Sequence, residues 1–395
     1  MKRVVKVLTG NEHGGAANSS KLLIKGIIEK VDSKEFDFRI VMLCNGSFAQ
    51  EIYKMYPDKT CIFNNSEPPI IGQGLKWIKL KNLINLIIWF LISWKNLMFK
   101  LKLSRNDIIH TSNNYALVVC CLYRYFHKCT LITHWRRIGG VHNKAFQVLV
   151  SVVDIIICIS ESVKDSLPIS WHRKSIVIYN GIDVKNLLDK GLQCKGELRK
   201  FLGLDNDTIL FGTIGSFTPI KCHELLIESC NVIHKNNPNL VFKCVLIGST
   251  PTKASCDYLQ YLKHKIQVYS LEKFVDIVYD NTISLPSAVI VDFDFFVAST
   301  WFNGQGEGFG LVYIEAMTQG LPIIAIRVGA AKELITSEIG LLSVDNSVEQ
   351  HSKLIEKMMD TAIRQQFNRK LIQQKAFDYD ISITVNKVVN LYNKI

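Results

Sequence analysis

A glycine-rich stretch near the middle of the C-terminal half carries two glutamates eight positions apart. It runs from Gly304 to Met317 as GQGEGFGLVYIEAM, and its acids are Glu307 and Glu315. Glycines let a backbone approach a ligand, and the apolar run that follows predicts a helix start whose free amides suit phosphate. A helix carrying both carboxylates would separate them by about 12 Å along its axis. They could then hold both ends of a diphosphate-centred ligand, although isolated glutamates on a helix are more often solvated. The spacing fits neither a dinucleotide fingerprint nor a Walker loop.

A second set of reactive side chains lies in the N-terminal half. His134 follows the apolar run Leu131-Ile132-Thr133, and Arg136 and Arg137 come directly after it. Strand ends border the ligand crevice in doubly wound sheets, so these side chains are candidates for substrate contact. A lone histidine after apolar residues is more often simply packed, and two arginines often form a solvated loop. His13 and His110 are weaker candidates.

The elements that must position these residues alternate between apolar β-type runs and helix-like stretches. Strands are predicted at Val4–Leu8, Phe38–Leu43, Asp107–His110, Cys129–Thr133, Ile155–Ile159, Ser175–Tyr179, Ile209–Ile214, Leu240–Ile247, Val289–Val297 and Pro322–Ala325. The first helix is predicted from Asn18 to Lys30, with Ser19 and Ser20 as candidate caps. Continuous apolar strands alternating with helices indicate parallel sheets covered on both faces. Two such series, joined near Asn180–Asp183, predict an α/β chain of two doubly wound domains.

Composition excludes several classes of protein. The chain has 395 residues, of which 48% are hydrophobic, so it is too apolar for a disordered protein and long enough for two domains. Eleven cysteines contain no C-x-x-C pair, which favours reduced thiols in the cytosol over disulfides or a zinc site. The N-terminal run Val4–Leu8 is too short for a signal-peptide core, so we expect no secretion signal.

The positive charge is confined to one half. Residues 1–180 hold 25 Lys and Arg against 12 Asp and Glu, whereas residues 181–395 hold 22 against 23. The first half therefore has a net charge of +13 and the second of −1, which accounts for the total of +12. A basic half implies an anionic partner, which is nucleic acid, a membrane surface or a phosphorylated substrate.

One basic stretch also has an apolar centre. From Pro68 to Asn106 there are seven cations and no acid, and Asn82–Trp94 is uncharged over 13 residues. Thirteen helical residues reach about 20 Å, short of the roughly 30 Å hydrocarbon core, so we expect this stretch not to span a membrane. Tryptophans beside lysines are typical of a helix lying among lipid headgroups. The stretch predicts a membrane-associating segment at about residues 75–103; the alternative is a buried core helix with a solvated flank.

Five motifs in order resemble the retaining glycosyltransferases of family 4, which have the GT-B fold. Glu307-Gly-Phe-Gly-Leu-Val-Tyr-Ile-Glu315 closely resembles the family's E-x7-E signature. The other four are Gly14-Gly15-Ala16, the runs Ile159–Val163 and Val177–Asp183 into the hinge, Gly212-Thr213-Ile214-Gly215 with Lys221, and Val328–Glu333. The resemblance covers almost the whole chain. It implies two Rossmann-like doubly wound domains facing across a cleft: an N-terminal acceptor-binding domain at 1–183, a nucleotide-sugar-binding domain at 184–375, and a helix at 376–395 packing back on the first.

The resemblance also implies roles for the donor-binding residues. Glu307 would lie by the transferred sugar, Glu315 would hold the ribose hydroxyls, and Lys221 would neutralise the diphosphate leaving group. The amides of the glycine loop would lie close to the sugar and the diphosphate; they belong to Gly308, Phe309, Gly310 and Leu311. In the N-terminal half, Gly15 would let its loop approach the diphosphate and His134 would face the donor sugar. Arg136 and Arg137 could meet an acceptor phosphate.

The sequence departs from the family at three places. Ser216 stands where the family usually has an arginine that helps Lys221, so the clamp on the diphosphate is weaker or completed from elsewhere. Trp301–Gly306 is longer than in many relatives and could shape the choice of donor. Asp292-Phe293-Asp294 spells D-x-D, which binds metal in the other glycosyltransferase fold but stands here where this family has a structural aspartate. We therefore expect neither a metal ion nor a cofactor beyond the donor substrate.

The function expected from the resemblance is transfer of a hexose from a UDP- or GDP-sugar to a lipid-linked glycan, as in O-antigen or capsule assembly. The expected partners are the nucleotide sugar, the lipid-linked acceptor and an anionic membrane surface. The expected location is the cytoplasmic face of the cell membrane, as a peripheral protein. The enzymatic alternative is a soluble GT-B protein, such as a sugar-nucleotide epimerase or a synthase acting on free sugars. A nucleic-acid-binding protein is the non-enzymatic alternative, disfavoured because the basic stretch is aliphatic and Trp-rich.

Overall fold

Two groups of parallel strands organise the chain. The structure, a computed structural model, describes residues 2–31, 36–63, 65–69, 80–139, 141, 144–279, 283, 285–301 and 303–395. Met1–Asn180 and Ser382–Ile395 form one unit, called here the N-terminal unit, and Gly181–Ile381 form the C-terminal unit. The boundary from the sequence, between 183 and 184, lies within a few residues of this division.

The N-terminal unit is built on a parallel sheet. Its strands are β1 (Lys2–Leu8), β2 (Phe36–Met42), β3 (Thr60–Ile62), β4 (Ile108–Thr111), β5 (Thr130–Trp135), β6 (Ile155–Cys158) and β7 (Ser175–Val177). They lie in the order β3-β2-β1-β4-β5-β6-β7. The chain therefore builds outward from β1 in one direction and then, from β4 onward, in the other. Ligands of open parallel sheets bind outside the carboxyl ends of the strands at such a switch point.

Helices make the crossovers that parallel strands require. In the N-terminal unit they are α1 (Gly14–Lys30), α2 (Ser47–Met55), α3 (Leu80–Lys100), α4 (Asn114–Phe126), α5 (Lys144–Val150) and α6 (Glu161–Asp165). Asn113 caps α4 by accepting the backbone N–H of Ala116, and Ser160 caps α6 by accepting that of Val163.

The C-terminal unit repeats this plan. Its strands are β8 (Ile209–Ile214), β9 (Phe242–Gly248), β10 (Val275–Tyr279), β11 (Phe295–Ala298), β12 (Ile323–Ile326) and β13 (Gly340–Ser343). All are parallel, in the order β10-β9-β8-β11-β12-β13, with the switch point between β8 and β11. Its helices are α7 (Val184–Gln193), α8 (Glu197–Phe201), α9 (His223–Asn236), α10 (Lys253–Val268), α11 (Pro286–Val289), α12 (Leu311–Thr318), α13 (Ala331–Leu334), α14 (Val348–Met359), α15 (Thr361–Arg364) and α16 (Arg369–Ala376).

The last helix, α17 (Ile381–Lys394), packs in the N-terminal unit. The Tyr392 hydroxyl lies 2.5 Å from Nδ1 of His110, and Lys2 Nζ donates to the Tyr392 carbonyl at 3.1 Å. The Val385 side chain occupies the space beside Gly26, where an added Cβ would lie 2.4 Å from Val385 Cγ2. A glycine in α1 therefore lets the two helices approach closely.

The predicted architecture of two parallel-sheet, Rossmann-like domains is confirmed. Central strands such as β12 are buried at every residue, as expected for sheets covered on both faces. The strands that were not predicted are β3, β10 and β13, which all lie at sheet edges. Each of these three strands is short or partly exposed, so each lacks the continuous apolar run that identified the other strands.

Two local predictions are wrong. The run predicted as a strand at Val289–Val297 contains the end of α11, a 3-10 turn at Ile290–Asp292 and only then β11. Pro286 opens α11, where its fixed φ favours a helix start. Ser19 and Ser20 are not helix caps, because α1 already begins at Gly14 and both are buried within it. Ser19 Oγ instead bonds to Oδ1 of Asn180 at 3.1 Å.

The α3 helix extends beyond the uncharged stretch that predicted it. Its 21 residues make it about 31 Å long. By length and composition alone it could cross a membrane, and 22% of its most apolar 18-residue window is buried. One face packs inward through Leu86, Trp89, Ser93 and Leu97. Residues 75–79 of the predicted segment, with Lys76, Trp77 and Lys79, lie outside the described residues.

Candidate active site

The first part of the glycine-rich stretch, Gly304–Gly310, forms a loop, and α12 begins directly after it at Leu311. Gly310 caps this helix with φ of 79°, a left-handed conformation. A Cβ at Gly310 would lie 2.4 Å from Cε2 of Tyr313, so the turn requires glycine. The predicted helix start is confirmed, but the two glutamates do not share the helix. Glu315 lies on α12, whereas Glu307 lies in the loop, because the left-handed turn at Gly310 precludes an earlier start.

Glu307 is held by a cation and a hydroxyl. Lys221, at the end of a 3-10 turn after β8, donates to Oε1 of Glu307 through its ammonium. Thr300, just after β11, donates its hydroxyl to the same oxygen at 3.0 Å. Burial raises the pKa of Glu307, but the charge and hydrogen bond of Lys221 and the bond from Thr300 outweigh it, so the net pKa is below the usual value. Glu307 is therefore an anion within reach of a positive charge.

The loop around Glu307 is also fixed by its backbone. Ala330 N–H donates to the Glu307 carbonyl at 3.0 Å. Gly329 has φ of 55°, and a Cβ there would lie 2.4 Å from the same carbonyl oxygen. The Val328–Glu333 motif recognised in the sequence thus packs directly against the loop that carries Glu307.

A cavity of about 500 Å³ lies beside this loop. Its lining residues come from the ends of β8, β9 and β10 and from α11 and α12; they include Gly215, Ser216, Gly248, Ser249, Thr250, Tyr279, Pro286, Val312 and Glu315. Both its size and its place at the carboxyl ends of parallel strands are typical of a small-ligand site. Ser216, which stands where similar enzymes usually have an arginine, lines the cavity wall without adding a charge. The positive charge at Glu307 comes from Lys221.

Glu315 projects from α12 into this cavity. Burial raises the pKa of its carboxyl to about 7, although a hydrogen bond from Ser287 and the charge of Lys221 act in the opposite direction. A carboxyl that titrates near neutrality can accept hydrogen bonds from vicinal hydroxyls once it is ionised.

The N-terminal candidates occupy a different place. Gly15 lies exposed in the first turn of α1, and His13 precedes that helix without a side-chain cap bond. The loop before them is organised by Glu12, whose carboxylate accepts the N–H groups of Thr9 and Gly10 at 2.9 Å each. Glu12 was not among the residues singled out from the sequence, because its partners Thr9 and Gly10 give no motif that would identify it.

His134 and His110 are buried side by side. His134 lies in β5 and His110 in β4, with ring centroids 5.4 Å apart and planes inclined by 18°. Arg136 follows β5 and is partly buried, whereas Arg137 is exposed. The structure thus brings His110, His134 and Arg136 together in the N-terminal unit, and Lys221, Glu307 and Glu315 together in the C-terminal unit.

The D-x-D pair serves the fold. Asp292 accepts the backbone N–H groups of Gly196, Leu198 and Arg199, and Asp294 pairs with the Arg199 guanidinium at 3.0 Å. Among the described residues, no group of three or more His, Cys, Asp or Glu side chains is placed to hold a metal ion.

Comparison with known proteins is consistent with this arrangement. Residues 195–375 match the family described as Glycosyl transferases group 1. A GDP-mannose-dependent monoacylated alpha-(1-6)-phosphatidylinositol monomannoside mannosyltransferase of Corynebacterium glutamicum is 28% identical over 191 residues, which are 47% of each chain. The O-antigen biosynthesis glycosyltransferase WclY of Escherichia coli is 26% identical over 59% of this chain and 64% of its own. The chain thus spans about half to two thirds of the length of these relatives.

The fold is shared with solved structures. Anabaena HepE in complex with UDP superposes with a TM-score of 0.75 over the full length of both chains, at 19% identity. The likeness shows the GT-B fold. The chain therefore has the GT-B fold, and its residues 195–375 are similar to glycosyl transferases group 1.

Proposed function

We propose that this protein is a retaining glycosyltransferase that moves a hexose from a UDP- or GDP-sugar to a lipid-linked glycan in O-antigen or capsule assembly. The observation that carries the proposal is the ion pair between Lys221 and Glu307, which lies in the glycine loop. Beside this loop is a cavity of about 500 Å³ that is lined in part by Glu315. The similarity to a GDP-mannose-dependent enzyme with a phosphatidylinositol-linked substrate, to an O-antigen enzyme and to a UDP-bound fold supports it.

The proposed chemistry follows from the charges. The nucleotide occupies the cavity and Glu315 accepts hydrogen bonds from the ribose hydroxyls. Lys221 and the backbone amides of Gly308–Leu311 at the start of α12 stabilise the negative charge that develops on the departing diphosphate. Glu307 lies beside the transferred sugar. The acceptor hydroxyl attacks the anomeric carbon from the face that the diphosphate leaves. The bond from this carbon to the diphosphate oxygen breaks, and the hydroxyl proton passes to the departing diphosphate. Fixed hydrogen-bond donors take the place of a metal ion.

A donor and acceptor screen on the full chain tests the proposal. UDP- and GDP-sugars are supplied in turn with a lipid-linked glycan, and released nucleoside diphosphate and the anomeric configuration of the product are measured. We expect the release of nucleoside diphosphate to depend on the acceptor, and the anomeric configuration of the donor to be retained in the product. The transfer rate should fall roughly a hundredfold or more in Glu307→Gln. Glu338→Gln, which removes a surface carboxylate, is the control. Transfer only to free sugars, inversion, or full activity of Glu307→Gln would contradict the proposal.

We also propose that α3 docks on the cytoplasmic face of an anionic membrane. Its outer face exposes 41–53% of each of six large aliphatic side chains: Leu83, Ile84, Ile87, Ile88, Leu91 and Ile92. Lys81, Lys95 and Lys100 lie on the same helix, so apolar burial and attraction to anionic headgroups act together.

Sedimentation with anionic vesicles tests this docking. The double substitution Ile88→Lys and Leu91→Lys should reduce the bound fraction roughly tenfold or more, because it places two charges on the apolar face. Val344→Lys changes an apolar residue of the C-terminal unit that is 71% exposed and is the matched control. Extraction by alkaline carbonate is expected for a peripheral helix; resistance to it would show a spanning helix instead.

A further inference from the structure

A fully buried histidine on α14 joins two other elements of the C-terminal unit. Nδ1 of His351 lies 2.9 Å from the hydroxyl of Ser229 on α9. Its Nε2 lies 3.0 Å from the hydroxyl of Ser299, the residue directly after β11. All three side chains are at most 4% exposed. Both ring nitrogens of this histidine therefore have a partner, as a buried imidazole requires.

The direction of these hydrogen bonds follows from Ser229. Its hydroxyl has a single hydrogen, which it donates to the Leu225 carbonyl at 2.8 Å. The Ser229 oxygen therefore accepts the N–H at Nδ1 of His351. Burial lowers the pKa of His351 to about 4, so the ring is neutral at neutral pH and its Nε2 is an acceptor. Ser299 then donates to Nε2, and the imidazole is held in one orientation from both sides.

The residue after Ser299 belongs to the candidate active site. Thr300 donates its hydroxyl to Oε1 of Glu307 at 3.0 Å, and Lys221 donates to the same oxygen. Lys221 ends the turn that leads into α9, the helix that His351 contacts through Ser229. His351 therefore links the two segments that supply the partners of Glu307.

The backbone joins the same two segments. Trp301 N–H donates to the Ile220 carbonyl at 3.1 Å, and the Trp301 carbonyl accepts the Cys222 thiol at 3.0 Å. These bonds hold the residues after β11 against the turn before α9, and His351 ties both segments to α14. Side chains of α9 and α14 form part of an apolar core, where a polar trio fixes one arrangement of elements that apolar contacts alone would leave less defined.

We propose that His351 is a positioning residue for Glu307. Through Ser299 it fixes the end of β11, and with it the Thr300 hydroxyl that donates to the carboxylate. Through α9 it fixes the turn that carries Lys221. The inference rests on the proposed function, in which Glu307 lies beside the transferred sugar. A displacement of about 1 Å at a reacting centre can cost roughly a hundredfold in rate, so a residue outside the site can control the chemistry in this way.

Transfer kinetics of the full chain test this role. His351→Leu removes both hydrogen bonds and should lower kcat roughly tenfold or more, because Glu307 is no longer held in place. Its KM for the donor should change less than about threefold, because the nucleotide contacts are made in the cavity. Met358→Ala, which removes apolar contacts from the same helix, is the control and should keep kcat at a temperature where both variants are folded. Equal losses of kcat in the two variants would overturn the proposal.

A double substitution shows whether His351 acts through Thr300. In the background of Thr300→Val, which lacks the hydroxyl, His351→Leu should lower kcat little further, because the contact that it positions is already lost. Losses that multiply in the double variant would contradict the proposal. If His351→Leu does not fold, Ser299→Ala replaces it in both experiments, because it removes only the hydrogen bond on the β11 side, and the same outcomes decide.

Amide hydrogen exchange separates this inference from the proposed function, because it requires no transfer. The Trp301 amide reports the segment after β11, and the Phe296 amide, which is hydrogen-bonded within the sheet, reports β11 itself. In His351→Leu, exchange at Trp301 should accelerate roughly tenfold relative to Phe296, whereas Met358→Ala should leave their ratio unchanged. An unchanged ratio in His351→Leu would overturn the inference alone. The expected change of ratio in a chain that transfers no sugar would overturn the proposed function alone.

Discussion

At the scale of residues, a few charges determine what the C-terminal unit can bind. Glu307 is anionic because Lys221 and Thr300 compensate for its burial, and Glu315 titrates near neutrality because burial prevails. Two carboxylates of one motif therefore differ in charge at neutral pH. This difference suits a site where one carboxylate faces a cation and the other faces neutral hydroxyls.

Removal of Lys221 should affect both the ligand and Glu307. In Lys221→Met, affinity for a nucleoside diphosphate should fall by roughly tenfold or more, since a charge-assisted hydrogen bond contributes about 1.5–3 kcal/mol. The pKa of Glu307 should rise, because its burial is then uncompensated. Calorimetric titration with UDP and GDP gives the affinity, and the pH–activity profile reports the shift. Lys357→Met, on the surface of α14, is the control, and equal affinities in the two variants would contradict this assignment.

The raised pKa of Glu315 predicts a pH dependence with a defined sign. Its pKa in the folded chain, about 7, lies above that of an unfolded glutamate, so folded chains bind more protons between the two values. The contribution of Glu315 to the free energy of unfolding should therefore be lost as pH rises through about 7. The affinity for the nucleotide should rise over the same range, because the carboxylate forms. Calorimetry and thermal unfolding across this range measure both trends. Both pH trends should vanish in Glu315→Gln. If they persist in that variant, another titrating group causes them.

At the scale of elements, the loop before α12 places Glu307 and the helix amides together. Gly310 holds a left-handed turn against Tyr313, and Gly329 holds a second one against the Glu307 carbonyl. Backbone conformation rather than side-chain packing therefore sets the shape of this loop.

Two glycine substitutions separate backbone strain from steric contact. Gly304 and Gly310 have φ of 77° and 79°, but a Cβ at Gly304 meets nothing within 4 Å whereas one at Gly310 meets the Tyr313 ring. Gly304→Ala should cost about 1–2 kcal/mol from φ alone. Gly310→Ala should cost more and lower nucleotide affinity, because the start of α12 must shift. Chemical denaturation measures both costs, and equal costs would exclude the contact with Tyr313 as a cause.

At the scale of the whole molecule, the charge of each half matches the ligand proposed for it. The first 180 residues carry the excess cations and contain α3, whereas the near-neutral half contains the cavity proposed for the nucleotide. On this proposal the positive field attracts an anionic membrane, whereas local groups alone bind the nucleotide.

This division predicts different responses to salt. Binding to anionic vesicles should weaken strongly when ionic strength rises from about 0.05 to 0.5 M, because the Debye length shortens severalfold. UDP affinity should change much less, since its contacts are few and partly buried. Vesicle sedimentation and calorimetry at matched salt concentrations compare the two, and neutral vesicles provide the control. A vesicle affinity that is independent of salt would show that apolar contact alone drives docking.

The sequence by itself determined the central parallel strands, the turn into α12 and the uneven charge. Each of these depends on neighbours in the chain: apolar runs, glycines of positive φ, or simple composition. Only the tertiary structure decided that Lys6 lies beside Ser112, 106 residues away, and that Tyr392 reaches His110, 282 residues away. Strand order and helix packing determine such contacts, and they depend on which surfaces bury each other rather than on local spacing. For the same reason the edge strands β3, β10 and β13 could not be predicted from sequence patterns.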